Sequence, residues 1–257
     1  MLTDDNVSED GLLDRRILLR QPKKGYRAGS DAVLLAAAVP AGPGERVLDV
    51  GAGAGAVSLC LAWRCPGAAV TGLERSAAMC DLAVANAAAN GLAERVRVLC
   101  GDVAAAPTVL RQERFDHVAT NPPFHEAGKA SASPEALKHA AHTESEVALS
   151  DWIAFCLKRV KPGGTLTAIH RASRLPELLA ALGRGAGDIA ILPLWPAAGR
   201  PAKRVIVQAR AGRRGPARLL PGLILHDETG ADTAQARALL RAGVALPLDD
   251  ETGRVDA

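Results

Sequence analysis

Four consecutive residues, Asn121-Pro122-Pro123-Phe124, carry the most specific chemical signal in the chain. Proline has no N–H and a fixed φ, so a Pro-Pro pair holds the backbone stiffly. The carbonyl of Pro122 can thereby be kept aimed at a ligand. The Asn121 side-chain oxygen adds a second acceptor, and Phe124 a flat stacking surface. Two acceptors gripping an exocyclic amine draw its hydrogens out of the ring plane. The nitrogen lone pair, otherwise delocalised, then becomes available to attack a sulfonium methyl. Groups preorganised in this way favour the transition state over the planar ground state. As structure alone, Pro-Pro after a strand is an ordinary stop. No Ser-His-Asp signature accompanies it, and His117, His125, His139, His142, His170 and His226 are scattered along the chain.

A second motif, Asp49-Val50-Gly51-Ala52-Gly53-Ala54-Gly55, follows an apolar run and opens a helical segment. Glycines there let the backbone turn sharply and lie against a ligand that a side chain would block. A tight strand–helix turn needs only one glycine, and here three stand at alternate positions. The run Gly51-x-Gly53-x-x-Ala56 also satisfies a dinucleotide fingerprint. Asp49 argues against that reading, because a carboxylate facing the helix N-terminus would repel a pyrophosphate. It suits a ligand carrying an ammonium and a sulfonium. Glu74, at the end of the next apolar run, can accept from both hydroxyls of a ribose. Asp102, followed by Val103, is placed to accept from an adenine amine, although a turn-capping role fits its spacing nearly as well.

The elements that must position these groups alternate. Apolar runs bounded by glycine predict buried strands at 46–50, 69–74, 95–100, 115–120 and 165–170. Helical patterns fall at 29–39, 54–64, 76–90, 149–160 and 175–182, the fourth of these stopping at Pro162-Gly163-Gly164. Two later strands, 188–194 and 203–209, joined by the loop Trp195 to Pro201, read as an antiparallel edge hairpin. The expectation is an α/β, Rossmann-like fold: a seven-stranded, mostly parallel sheet with helices on both faces. One domain is expected over 15–248, between flexible tails at 1–14 and 249–257. The stretch 121–148 shows little periodicity and follows a strand end, which makes it the candidate substrate loop.

Bulk properties bound the function class. The 257 residues are 48% hydrophobic and 23% charged, which suits one folded α/β domain. No apolar run approaches a membrane span, and the acidic N-terminus lacks the features of a signal peptide, so a cytoplasmic protein is expected. The five cysteines, Cys60, Cys65, Cys80, Cys100 and Cys156, show no C-x-x-C spacing, and no metal site is expected. The net charge of +3 is ordinary, but its distribution is not. Six basic and no acidic residues occur from Arg15 to Arg27, and seven basic and none acidic from Arg200 to Arg218. Lys23, Lys24, Arg27, Arg204, Arg213 and Arg214 are thereby candidate RNA contacts, with solvated surface as the plain alternative. With seven aromatics in all, no stacking platform of the RRM kind is present.

In order, DVGAGAG, LERS, GDV and NPPF resemble the class I S-adenosylmethionine-dependent methyltransferases that act on planar amino groups. The resemblance implies S-adenosylmethionine as cofactor, held by Asp49, Gly51, Gly53, Gly55, Glu74, Asp102 and Val103, with Asn121 to Phe124 at the target amine. The segments QPKKGYRAGSDAVLLAA, KRVIVQARAG and LPGLILHDETG resemble more narrowly the bacterial tRNA valine adenine-N6 methyltransferase family. This implies an adenine beside the anticodon as target, Gly29, Ser30 and Asp31 next to the cofactor, and the basic stretches on tRNA. The sequence does not tell monomer from dimer. Phe124 departs from the Tyr common in relatives; stacking is kept and a hydroxyl is lost. Other readings remain: protein glutamine N5-methylation, ribosomal RNA guanine-N2 methylation, a DNA adenine methyltransferase, an NAD dehydrogenase, or RNA binding without catalysis. Glutamine methyltransferases usually carry a helical domain ahead of the cofactor motif, and only 48 residues precede Asp49 here.

Overall fold

The structure, a computed structural model, describes residues 6–25, 27–123, 147–183 and 185–249. It begins with a hairpin in which β1 (Val7–Leu12) pairs antiparallel with β2 (Ile17–Pro22). Then come α1 (Ser30–Ala38), β3 (Arg46–Val50), α2 (Ala56–Arg64), β4 (Ala69–Glu74), α3 (Ala77–Ala89), β5 (Val96–Cys100), the short α4 (Thr108–Gln112) and β6 (Phe115–Thr120). Further along lie α5 (Leu149–Arg159), β7 (Val160–Arg171), α6 (Leu175–Leu182), β8 (Ala186–Ala197), β9 (Arg204–Ala211), β10 (Arg218–Leu219), β11 (Leu223–His226) and α7 (Ala234–Arg237).

The strands of the main sheet run in the order β10-β8-β9-β7-β6-β3-β4-β5, with β11 also paired to β8. The five strands β3 to β7 are mutually parallel, and β9 is antiparallel to both β7 and β8. The seven expected strands are all present. The late pair is not the sheet edge, because β10 and β11 add parallel rungs outside β8. Those two strands are only two and four residues long, too short to leave a periodic signal. Side chains alternate between two cores. On β9, Ile206 joins the cluster under α1, α2 and the hairpin, while Val205, Val207 and Ala209 join the one under α5 and α6.

The expected N-terminal tail is corrected by the hairpin. Ile17 and Leu19 are buried, and the free edge of β2 is satisfied by the side chains of Asn86, in α3, and Asn90, which caps its C-terminus. Asn86 accepts from Arg20 N–H at 2.9 Å and donates to the Arg20 carbonyl at 2.9 Å. Asn90, one turn on, does the same for Leu18 at 2.9 and 2.8 Å. The two carboxamides thus stand in for a third strand. Asn86, fully buried, also donates to the Ala54 carbonyl at 2.9 Å, tying the hairpin to the glycine loop. Leaving such buried groups unpaired costs about 1–3 kcal/mol each. Asn86→Ala is therefore expected to lower the unfolding free energy by about 2–4 kcal/mol in urea titration. A loss below about 0.5 kcal/mol would mean that water replaces the carboxamide.

Candidate active site

The strand order reverses between β3 and β6, and open α/β sheets bind ligands at such a switch point, outside the carboxyl ends of the strands. Both motifs lie there. Val50 and Thr120 are the last paired residues of β3 and β6, so Gly51 and Asn121 leave the sheet side by side. A Cβ placed on Gly51 would lie 4.0 Å from the Asn121 carbonyl oxygen and 3.1 Å from Trp152 Cζ2. Gly51, Gly53 and Gly55 all have positive φ, at 81°, 56° and 91°, a region other residues enter only with strain. A Cβ on Gly55 would meet Ala83 at 3.3 Å, whereas at Gly53 the nearest atom is 3.8 Å away, so the outer face of the loop is open at Gly53.

Glu74 lies against this loop. Its Oε2 accepts from Gly53 N–H at 2.9 Å and its Oε1 from Ser76 N–H at 2.8 Å. Each carboxylate oxygen has two lone pairs, so one per oxygen remains for a ribose diol. Asp102 caps a turn, Oδ1 accepting from Ala104 N–H at 2.8 Å, which is the structural role its spacing also fitted. Its second oxygen leaves an acceptor for an adenine amine. Val103, beside it, is half-buried against the second core. These groups fit an adenosine bearing a charged sulfur: open glycine backbone, a fixed carboxylate for the ribose and a second one for the base.

Asp49 departs from expectation. It does face the N-terminus of α2, but only 1% of it is exposed, and Oδ2 accepts from Ser58 N–H at 3.1 Å and Ser58 Oγ at 2.7 Å. It braces the turn between β3 and α2 from beneath. Burial raises its carboxyl to about 7, against the pull of the two Ser58 bonds. His170, buried at the carboxyl end of β7, shifts the other way: burial, with Arg174 and Arg171 nearby, lowers it to about 4. Between about pH 4 and 7 the folded chain holds a proton on Asp49 that the unfolded chain has released, so this group lowers stability as pH rises. Between about pH 4 and 6.5 the unfolded chain protonates its histidine while the folded chain does not, so His170 raises stability as pH rises. The two slopes oppose each other. Asp49→Asn removes the first, and its denaturation stability is expected to climb more steeply than wild type from about pH 4.5 to 6.5. Parallel profiles would show that Asp49 does not titrate in this range.

Of the amine-gripping motif, Asn121 is half-exposed, Pro122 buried and Pro123 exposed, while Phe124 lies outside the described residues, as does most of the candidate substrate loop. Gly29 precedes α1, and Ser30 and Asp31 form its first turn. Asp31 is paired with Arg204 at 2.9 Å, so the structure joins a residue expected at the cofactor to one expected on RNA. Arg27 is likewise engaged, holding Asp10 at 2.6 Å, Ser8 at 2.8 Å and the Pro22 carbonyl at 2.9 Å. Lys23 and Lys24 are exposed on the approach to α1. Arg213 and Arg214 are exposed but lie at the other end of the sheet. Because β9 runs antiparallel, Arg204 pairs with Arg171 at the ligand end, and Ala211 pairs with Ala186 at the opposite end. Seven residues of strand separate them, about 23 Å at roughly 3.3 Å per residue. Arg171, Arg200 and Lys203 are exposed at the ligand end; the last two belong to the basic run noted in the sequence but were not among the chosen contacts, because composition does not report strand direction.

The family model for the methyltransferase small domain matches residues 27–146. A tRNA1(Val) (adenine(37)-N6)-methyltransferase of Dickeya chrysanthemi is 30% identical over 240 residues, 90% of this chain and 92% of that one. The chain belongs to this methyltransferase family. A relative of the same name in Porphyromonas gingivalis is 31% identical over 170 residues, 64% of this chain and 66% of that protein, so the match spans just under two thirds of its length. A release factor glutamine methyltransferase of Bordetella pertussis is 34% identical over 197 residues, 76% of this chain but 52% of that protein. Among solved structures, a predicted O-methyltransferase of Agrobacterium tumefaciens superposes with a TM-score of 0.71 at 29% identity, covering 84% of this chain and 98% of that one. The class I methyltransferase fold of the family is the one observed, with S-adenosylmethionine as its cofactor. Among the described residues, no helix is long and apolar enough to cross a membrane.

Proposed function

We propose that the protein methylates N6 of an adenine in tRNA beside the anticodon, working in the cytoplasm as a single catalytic domain that runs from the hairpin to Leu248. The observation that carries this reading is the juxtaposition of Asn121-Pro122 with the glycine loop across the last rung of β3 and β6. S-adenosylmethionine, when bound, supplies an electrophilic methyl group. The glycine loop, Glu74 and Asp102 hold it. Asn121 Oδ1 and the Pro122 carbonyl accept from the two N–H bonds of the target amine and orient its lone pair. A planar amine is the acceptor such a grip fits, rather than a hydroxyl. A glutamine carboxamide is also a planar amine, and the relative from Bordetella keeps that second reading open. The tRNA reading is favoured by coverage: the match spans 92% of the Dickeya protein but 52% of the Bordetella one.

The test is methyl transfer from labelled S-adenosylmethionine to unmodified tRNA, followed by nucleoside mass spectrometry, with a release-factor peptide in parallel. N6-methyladenosine in tRNA supports the proposal, and label in the peptide alone overturns it. The target base must unstack to reach the turn, and phosphates near it need cations that position without reading sequence. Among the described residues, Lys23, Lys24, Arg75, Arg171, Arg200 and Lys203 are exposed cations at that end. Arg200→Ala with Lys203→Ala is expected to weaken tRNA binding and to reduce the log–log salt slope by about 0.7–0.9 for each phosphate left without its cation. Arg213→Ala with Arg214→Ala should leave the slope unchanged. The reverse pattern would move the RNA to the opposite end of the sheet.

A further inference from the structure

Trp152 stands in the first turn of α5 and is claimed by neither motif. Its indole Nε1–H donates to Thr120 Oγ1 at 2.8 Å, and the Thr120 hydroxyl donates to the Val50 carbonyl at 2.9 Å. The proton direction is unambiguous: an indole only donates, a carbonyl only accepts, and a hydroxyl has a single proton. Thr120 is fully buried. The indole ring closes over Gly51, where a Cβ would lie 3.1 Å from Cζ2 and 3.4 Å from Cη2. The helix that carries Trp152 is anchored in the second core by Ile153 and Cys156, both fully buried.

Thr120 is the residue before Asn121, and Val50 is the residue before Gly51. The hydroxyl bond therefore extends the β3–β6 ladder at the point where the cofactor loop and the amine-gripping turn diverge. We infer that Thr120 and Trp152 are positioning residues, which fix the separation of the glycine loop from the Asn121 turn and with it the alignment of donor methyl and acceptor amine. This rests on the methyl-transfer reading for its effect on rate, but not for the coupling itself. Transfer between two bound groups needs the reacting atoms about 3–3.5 Å apart and in line, and a displacement of about 1 Å can cost on the order of 10²-fold. A loop joined to its neighbour only by backbone bonds below the last rung has that freedom. One bridged by a buried hydroxyl and covered by an indole ring does not.

Thr120→Val keeps the shape and removes the hydroxyl, leaving the Val50 carbonyl and the indole N–H without this partner. Thr120→Ser keeps the hydroxyl, and Trp152→Phe keeps an aromatic ring over Gly51 without the donor. Two readouts are combined. In hydrogen–deuterium exchange of the wild type and variants without substrate, Thr120→Val is expected to speed exchange in the segments 47–55 and 118–123 together, and Thr120→Ser in neither. In steady-state methylation, Thr120→Val is expected to lower kcat by roughly 10- to 100-fold, with cofactor Kd within about threefold of wild type. Trp152→Phe should fall between wild type and Thr120→Val, and Thr120→Ser should restore kcat to within about threefold. Unchanged exchange in Thr120→Val, or equal losses of kcat in the Val and Ser variants, would overturn the inference. Faster exchange in a protein that methylates no tRNA would uphold the coupling and overturn the proposed substrate instead.

Discussion

Asn121→Ala is expected to lower turnover by roughly 10²–10³-fold while leaving cofactor affinity within about threefold of wild type. The split follows from where the residue stands. Asn121 leaves β6 beside Gly51, yet the groups fitted to the cofactor are the glycine loop, Glu74 and Asp102, which owe their placement to backbone bonds on β4 and β5. Removing the carboxamide disturbs none of them. On the proposed mechanism it removes an acceptor whose bond strengthens as the amine pyramidalises, and interactions that grow toward the transition state govern kcat rather than binding. Asn121→Asp keeps an acceptor oxygen at the same position and should lose less. Isothermal titration with S-adenosylhomocysteine and single-turnover methylation report the two quantities separately. Equal losses in both would mean that Asn121 holds the loop together rather than the target.

The sequence was most legible where function and fold ask for the same residues. The strands 46–50, 69–74 and 115–120 were read to their observed bounds, because each is an apolar run closed by residues that leave the sheet at the ligand end. The glycine loop and the Asn121 turn then followed from their position after those strands. The hairpin was not legible. Val7-Ser8-Glu9-Asp10-Gly11-Leu12 is polar between its apolar ends, and the side chains that complete its sheet edge are 66 and 72 residues away. The role of Asp49 depended on whether its carboxylate points outward or under the loop, and Ser58, nine residues on, decides this. The basic clusters were visible as composition, but their use depends on strand direction. One antiparallel strand, β9, separates Arg204 from Arg213 and Arg214, and the Asp31–Arg204 pair joins residues 173 apart. Local patterns thus placed both motifs after the right strands, and long-range pairing determined which charges lie at the same end of the sheet.

Glu74→Gln is expected to weaken S-adenosylhomocysteine binding by roughly 10- to 100-fold, with kcat at saturating cofactor nearly unchanged. The substitution is isosteric, yet it cannot be mild. Both carboxylate oxygens already accept from backbone N–H groups, Gly53 on one side and Ser76 on the other. An amide offers one acceptor oxygen and one NH₂, so whichever way it turns, a donor faces a donor. Either the glycine loop or the start of α3 loses its tie, and hydrogen bonds to a charged acceptor are worth about 1.5–3 kcal/mol. With Glu74 on the ribose, as proposed, the loss falls on ground state and transition state alike, because the ribose takes no part in methyl transfer. The cost therefore appears in Kd and KM. Glu74→Asp, with the charge kept but the reach shortened by one methylene, separates charge from geometry: near-normal affinity would assign the effect to charge alone, and a loss equal to that of the glutamine variant would assign it to the two backbone bonds. A fall in kcat at saturation would place Glu74 with Asn121, in the group that acts on the reacting atoms.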